Sequence, residues 1–218
     1  MRTVQIPAVS PRKESDREPD LTSMYVIHRA MLADLRRLTD LLGGTTPLQP
    51  ARDEAVREYT ALLLTEVHHH HANEDDVLWP IIERTASQAV DLAPYTDDHQ
   101  ALAPVLDRCH TGLHGDRRQL GRALADLLDL LDDHIAEEES RLFPIISRFV
   151  PYEAYAWAEK QVARRASLGQ LTFTAPWLIR YATPEEAARL LAGAGAPLRL
   201  LVALTKGRYA RRERVVFG

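Results

Sequence analysis

Apolar residues recur at steps of three and four along four stretches of the chain, the spacing that gathers them on one face of an α-helix. The pattern predicts helices over about residues 21–42, 51–89, 95–110 and 117–149. Pro80 is expected to kink the second helix without ending it, because the same spacing resumes after it. Residues 111–115 are predicted to connect the third and fourth helices.

The rest of the pattern predicts how these helices are organised. No segment alternates with period two and no Asn-Gly or Asp-Gly turn occurs, so the fold class is predicted to be all-α. Four helices with short connections predict an up-down-up-down four-helix bundle over residues 21–150. Residues 151–218, interrupted by prolines, are predicted to form a C-terminal helical extension, and residues 1–20, rich in charge and proline, a disordered tail.

The amino-acid composition indicates which kinds of partner and which compartment to expect. The 27 Lys and Arg nearly balance the 31 Asp and Glu, so neither a nucleic acid nor a membrane partner is expected. The basic stretch at residues 206–218 is interpreted as a solvated face, with a membrane or nucleic-acid role as the alternative. The single cysteine, Cys109, excludes an intramolecular disulfide and suits a reducing compartment. Together with the absence of a signal-like or membrane-spanning apolar run, this predicts a cytoplasmic protein.

An internal repeat carries the strongest chemical signal. His70 and Glu74 lie four residues apart in the second predicted helix, and His134 and Glu138 repeat the spacing in the fourth. Each Glu is followed six residues later by a proline. Positions four apart lie about 6 Å apart along a helix on nearly the same face. Two such helices facing each other would supply two imidazoles and two carboxylates, and carboxylates can bridge adjacent cations, so the repeat predicts a di-metal site.

Both glutamates fall where the apolar stripe is expected to face inward. An unpaired buried carboxylate costs several kcal/mol, so each needs a cation or a polar partner. A buried network with inward-facing His or Arg is the alternative to metal. His28 in the first helix and His99 in the third also face inward, and four helices that each present an imidazole favour metal.

The run His68-His69-His70-His71 requires a choice, because successive helical residues are rotated by about 100 degrees and only one or two can face inward. His70 is selected because it reproduces the spacing of His134, and His71 is kept as a candidate for an open coordination position. His68 and His69 are expected to be exposed. Glu66 and His69 form a ferritin-like Glu-x-x-His, but the chain has no second copy.

These residues, in this order and with Pro80 and Pro144 after the two glutamates, resemble the hemerythrin-like, or HHE cation-binding, domain family over about residues 20–150. The resemblance implies a bundle around two non-haem iron ions joined by an oxo or hydroxo bridge. It implies Glu74 and Glu138 as bridging carboxylates, His28 and His70 as ligands of one iron, and His99 and His134 as ligands of the other. The donors themselves suit Fe, Mn or Zn.

One position departs from this family. Oxygen-carrying hemerythrins have a second histidine four residues further along the third helix, where this chain has Ala103. One iron is therefore expected to lack a ligand, unless His71, Tyr25, Tyr59 or solvent fills the gap, and simple reversible oxygen carriage is put in doubt.

The expected function is binding of a small diatomic or peroxide ligand (O2, NO or peroxide) at an open iron position, in sensing, scavenging or detoxification. Catalase-like or oxidase-like turnover is its enzymatic version. The alternative is an iron-responsive regulatory protein without turnover, motivated by the extension, which resembles those of longer bacterial hemerythrin-domain proteins. A purely structural bundle and the oligomeric state also stay open.

Overall fold

The structure is a computed structural model that describes residues 6–193 and 195–218. The predicted all-α class is confirmed, since these residues form helices and contain no strand. In chain order the helices are α1 (Thr22–Gly43), α2 (Pro50–Asn73), α3 (Trp79–Ala86), α4 (Ala93–Leu113), α5 (Arg117–Glu137), α6 (Phe143–Phe149), α7 (Tyr152–Arg165), α8 (Leu168–Tyr181), α9 (Pro184–Gly193) and α10 (Gly195–Phe217).

The four long helices of the first part form a ring around one core. α1 packs against α5, α5 against α4, α4 against α2, and α2 closes the ring on α1. The core consists mainly of fully buried leucines, among them Leu35, Leu38, Leu63, Leu124 and Leu131. Burying each such side chain stabilises the fold by roughly 1.5–3 kcal/mol. The up-down-up-down direction of the helices stays a prediction.

The connection predicted at residues 111–115 is shorter in the structure, because α4 continues to Leu113. Gly112 permits this, since a Cβ atom there would lie 2.9 Å from the Cα atom of Leu120. The missing side chain lets α4 and α5 approach closely, and burial of Leu113 holds the last turn in helical form.

Two π-helical segments interrupt the helices at matching places, Glu74–Leu78 between α2 and α3 and Glu138–Leu142 between α5 and α6. Each precedes the proline, Pro80 or Pro144, that occupies an early position of the following helix. Proline lacks the N–H that would continue the regular ladder, and a wider turn is one way to pass it. The second predicted helix therefore continues beyond Pro80 as expected, with its distortion placed ahead of the proline.

The extension packs on the bundle through α8 and α10, which contact α1 and α2. A buried carboxylate joins the two parts. Asp34 of α1 accepts hydrogen bonds from the Tyr59 hydroxyl at 2.5 Å, Nε1 of Trp177 at 2.8 Å and Arg37 at 3.0 Å. The Tyr181 hydroxyl also donates to Asp34. Since Trp177 and Tyr181 belong to α8, this network fixes the extension to the core.

The segment before α1 lies along the bundle. The Arg12 amide donates to the carbonyl of Phe149 at 2.8 Å, and Arg84 donates to the carbonyls of Ile6 and Pro7. Residues 1–5 of the predicted disordered tail lie outside the described residues, and the disorder of the tail stays a prediction. Across residues 6–193 and 195–218, no helix combines the length and apolarity needed to cross a bilayer.

Candidate metal centre

Seven buried polar side chains converge where the four bundle helices meet. They come from α1, α2, α4, α5 and the first residue of each π-helical segment. They are His28, His70, His71, Glu74, His99, His134 and Glu138. The structure therefore brings together all six residues predicted from the sequence, with His71 as a seventh.

The donor atoms fall into two groups that share one carboxylate. His28, His70, Glu74 and Glu138 form one group, and His71, Glu74, His99 and His134 form the other. Within each group the donor atoms all lie within 4.8 Å of one another, so each group could hold one cation. Glu74 belongs to both, which places it between two cation positions.

Glu138 also lies between the two groups. One of its oxygens is 3.5 Å from Nε2 of His28, and the other is 3.5 Å from Nε2 of His134. The two carboxylates of the sequence repeat therefore occupy equivalent places, each reaching histidines of both groups.

The hydrogen bonds of the outer ring nitrogens fix which imidazole nitrogen is free. Nδ1 of His99 donates to Asp75 at 2.8 Å, and Nδ1 of His134 donates to Asp98 at 3.4 Å. The Nε2 atom of each ring then carries a lone pair and no hydrogen, and these two Nε2 atoms lie 3.2 Å apart. Two lone pairs at this distance repel each other unless a cation attracts both, so the arrangement suits metal coordination.

The remaining donors are equally short of partners. Both carboxylate oxygens of Glu74 and of Glu138, and Nε2 of His71, are buried without a hydrogen bond among the described residues. Nε2 of His70 lies 3.2 Å from Glu74 without a hydrogen bond to it, and 3.0 Å from Nε2 of His28. Buried polar groups are rarely left in this state, and one cation in each group would satisfy all five atoms.

The pKa shifts of these groups have the same cause. Burial raises the pKa of Glu74 well above its usual range, with the nearby charge of Glu138 adding to the effect. Burial also raises the pKa of Glu138 to about 8 and lowers the pKa of His134 to about 4. In a site without water, a bound cation would favour the ionised form of the carboxylates and the neutral form of the imidazoles. The donor set therefore fits metal ions.

Comparison with known families agrees with this geometry. The family model described as the hemerythrin HHE cation-binding domain matches residues 20–146, more than half of the chain. The chain belongs to the hemerythrin HHE family. No curated protein and no solved structure matches the sequence. The matched residues include every donor of the centre, and the hemerythrin domain ends within α6, ahead of the helical extension.

Within the hemerythrin domain, the sequence repeat also holds the histidines of the neighbouring helices. Asp75 accepts from Nδ1 of His99, and Trp79 stacks on the same ring with centroids 5.6 Å apart. In the second copy, Glu139 accepts from Nδ1 of His28 at 3.0 Å, and Phe143 stacks on that ring at 5.4 Å. Each copy thus supplies an acceptor and an aromatic ring that orient one histidine, a role that the sequence analysis did not assign.

His71 lies in the same donor group as His99 and His134. Its Nδ1 donates to the carbonyl of Val67 at 2.7 Å, which directs Nε2 toward His99 and His134. Ala103 lies on the exposed side of α4. Tyr25 is more than one-third exposed, and the Tyr59 hydroxyl is engaged by Asp34, so neither tyrosine belongs to the two groups.

The other polar residues considered from the sequence lie outside both groups. His68, His110 and His114 are exposed. Glu66 is buried and accepts from the Thr174 hydroxyl at 2.8 Å, and His69 bonds to Gln170. The Glu-x-x-His spacing therefore links α2 to α8 and does not form a metal site.

Proposed function

We propose that this hemerythrin-family protein holds two iron ions and binds O2, NO or peroxide at an open coordination position, in a sensing, scavenging or detoxifying role in the cytoplasm. The observation that carries the proposal is Glu74, a buried carboxylate with no hydrogen-bond partner that belongs to two separate groups of imidazole and carboxylate donors. A shared carboxylate of this kind suits a pair of cations.

The donor set is compatible with iron and would form an asymmetric pair of sites. His71, His99 and His134 would hold one metal ion, while His28 and His70 would hold the other, with Glu74 and Glu138 between them. Imidazole and carboxylate donors without thiolate suit iron, manganese or zinc, and the family to which the chain belongs favours iron among them. The ion beside His28 has one imidazole fewer, so the open position is assigned to it. Iron bound there would supply the redox change and the Lewis acidity that small oxidants and NO require.

The protein's own residues orient the donors and exclude water. Glu139 and Asp75 accept from the outer nitrogens of His28 and His99, which keeps the inner nitrogens free for metal. Phe143 and Trp79 are buried against the same two rings and shield them from solvent. Because His71 supplies a fifth imidazole, the departure at Ala103 no longer argues against oxygen carriage.

The test is to load the protein with ferrous iron without air and record its absorption spectrum after separate additions of O2, NO and peroxide. We expect a spectral change with at least one of the three, and loss of that change in His28→Ala. His68→Ala is the control, because His68 is exposed on α2, two residues from His70. No change with any of the three additions would reject the proposal.

A second function, iron-dependent regulation without turnover, is favoured by contacts between the extension and the donor-bearing stretch. Arg165 of α7 forms a salt bridge with Asp76, two residues after Glu74. Gln170 of α8 bonds to His69, the neighbour of His70. Occupancy of the centre would then affect how the extension is held. We expect iron loading to slow tryptic cleavage after Arg165, and equal cleavage of the apo and loaded forms would reject this alternative.

A further inference from the structure

One surface of the extension combines exposed apolar and cationic side chains. We call it the α10 outer face, the stripe that repeats every three or four residues on the side opposite the buried Val202, Tyr209 and Val216. It consists of Leu200, Leu204, Arg208, Arg211 and Val215.

The apolar members of this face are unusually exposed. Leu200 is 61% exposed, Leu204 73% and Val215 47%. Three of the six large apolar side chains that are exposed among the described residues therefore lie on one helix face. Single exposed leucines are ordinary, but two on successive turns, with a third apolar residue about three turns further along the same face, indicate a surface that another molecule covers.

The cations on and beside this face have no acidic partner in the described part of the chain. Arg199, Lys206, Arg208, Arg211 and Arg214 are exposed, and none forms a salt bridge there. The one acidic residue of α10, Glu213, is turned inward and pairs with Arg37 and Arg180. The face is therefore cationic, and its charges are available to an external anion.

Charge is separated along the chain on a larger scale. Residues 195–218 contain six of the 27 Lys and Arg but one of the 31 acidic residues, a net charge of +5. The rest of the chain therefore carries a net charge of −9, since the whole chain carries −4. An anionic surface would attract α10 and repel the remainder, so it would orient the molecule with this helix toward it.

The chemistry of the face selects among possible partners. A second copy of the chain that met this face with its own α10 outer face would place cations against cations, since the face offers no exposed acid. A nucleic acid would satisfy the arginines and leave Leu200 and Leu204 in water. We propose that the α10 outer face binds an anionic lipid surface, with the leucines entering the headgroup boundary and the guanidinium groups contacting lipid phosphates. The sequence analysis expected no membrane partner because the total charge is nearly balanced and because the basic stretch at residues 206–218 was interpreted as a solvated face.

The test is cosedimentation of the full chain with phosphatidylcholine vesicles with and without phosphatidylglycerol. We expect binding that requires the anionic lipid and weakens as salt is raised. Since each cation near such a surface contributes about a factor of five, R208E/R211E is expected to weaken binding by about 30-fold or more. L200S/L204S is expected to weaken it by about tenfold.

The matched controls are L168S, which alters a leucine that is 70% exposed on α8, and R118E/R122E, which makes the same charge change at exposed positions of α5. Both are expected to bind like the unaltered chain, with circular dichroism confirming that every variant is folded. Absence of binding to anionic vesicles would overturn the proposal, as would equal losses in the controls. Tighter binding to duplex DNA that L200S/L204S leaves unchanged, or a dimer that L200S/L204S dissociates, would likewise replace the lipid surface with another partner.

Discussion

Asp75 accepts a hydrogen bond from Nδ1 of His99 at 2.8 Å, although the two residues belong to different segments of the bundle. Asp75 directly follows Glu74, and Glu139 directly follows Glu138 and makes the same contact with His28 at 3.0 Å. One stretch of chain therefore both provides a metal donor and orients the histidine that faces it.

Replacing Asp75 tests whether its carboxylate orients the imidazole ring of His99. Asp75→Ala is expected to weaken iron binding by about 10- to 100-fold, because the imidazole of His99 loses the contact that fixes its ring and tautomer. Asp75→Asn retains an acceptor oxygen and is expected to recover part of the affinity. Competition with a chelator measures both. Asp97→Ala removes a nearby exposed acid, and a loss of similar size in that variant would mean that general charge explains the effect.

The assignment of His71 predicts a change in how tightly one iron is held. His71→Ala leaves the group containing His99 and His134 with two imidazoles in place of three. We expect a chelator to remove one of the two irons more readily than in the unaltered chain, since that ion loses an imidazole while the other group keeps its own. His68→Ala is the matched control. Two tightly held irons in His71→Ala would show that solvent, and not His71, completes the centre.

The buried carboxyl group of Glu66 is expected to make the free energy of unfolding depend on pH. Burial raises its pKa to about 7, with the Thr174 hydrogen bond opposing the shift. As pH rises from about 4.5 to 7 the unfolded chain releases this proton and the folded chain keeps it, so stability falls by about 3 kcal/mol and is then level.

Glu66→Gln removes that loss. The variant is expected to exceed the unaltered chain in free energy of unfolding by about 3 kcal/mol at pH 8 and by less than about 1 kcal/mol at pH 5. Denaturant titration of the metal-free proteins at both pH values measures the difference. Glu58→Gln, at an exposed position of the same helix, is the control. A difference that does not change with pH would contradict the assignment.

Asp34 predicts how firmly the extension is attached. Asp34→Ala leaves the buried donors of Tyr59 and Trp177 without their acceptor, and is expected to lower the free energy of unfolding by about 3–5 kcal/mol. Asp40→Ala, at an exposed position of α1, is expected to have little effect. Denaturant titration compares them. A loss under about 1 kcal/mol in Asp34→Ala would mean that apolar packing alone holds the extension.

Much of the centre was predictable because its residues repeat. The spacing of His70 to Glu74 and of His134 to Glu138 placed each pair on one helix face, and the apolar stripe showed that this face is buried. His71 was harder to choose, because successive residues differ by about 100 degrees and packing against α4 decides which of them turn inward.

Other residues carried weaker signals. Asp75 and Glu139 look like ordinary solvated acids, and their role appears only when His99 and His28 are placed beside them. The π-helical turns depend on how the chain passes each proline, which spacing alone does not determine. Asp34 was detectable, since it interrupts a largely apolar face of α1, but two of its partners, Trp177 and Tyr181, lie more than 140 residues away in α8.

The most direct test of the central claim is metal content per chain after loading with ferrous iron without air, compared with Glu74→Gln. The account predicts about two irons per chain, and a loss of tightly bound iron from both positions in the variant, because Glu74 belongs to both groups of donors. One iron per chain, or two irons that Glu74→Gln leaves in place, would contradict a di-metal centre built around this carboxylate.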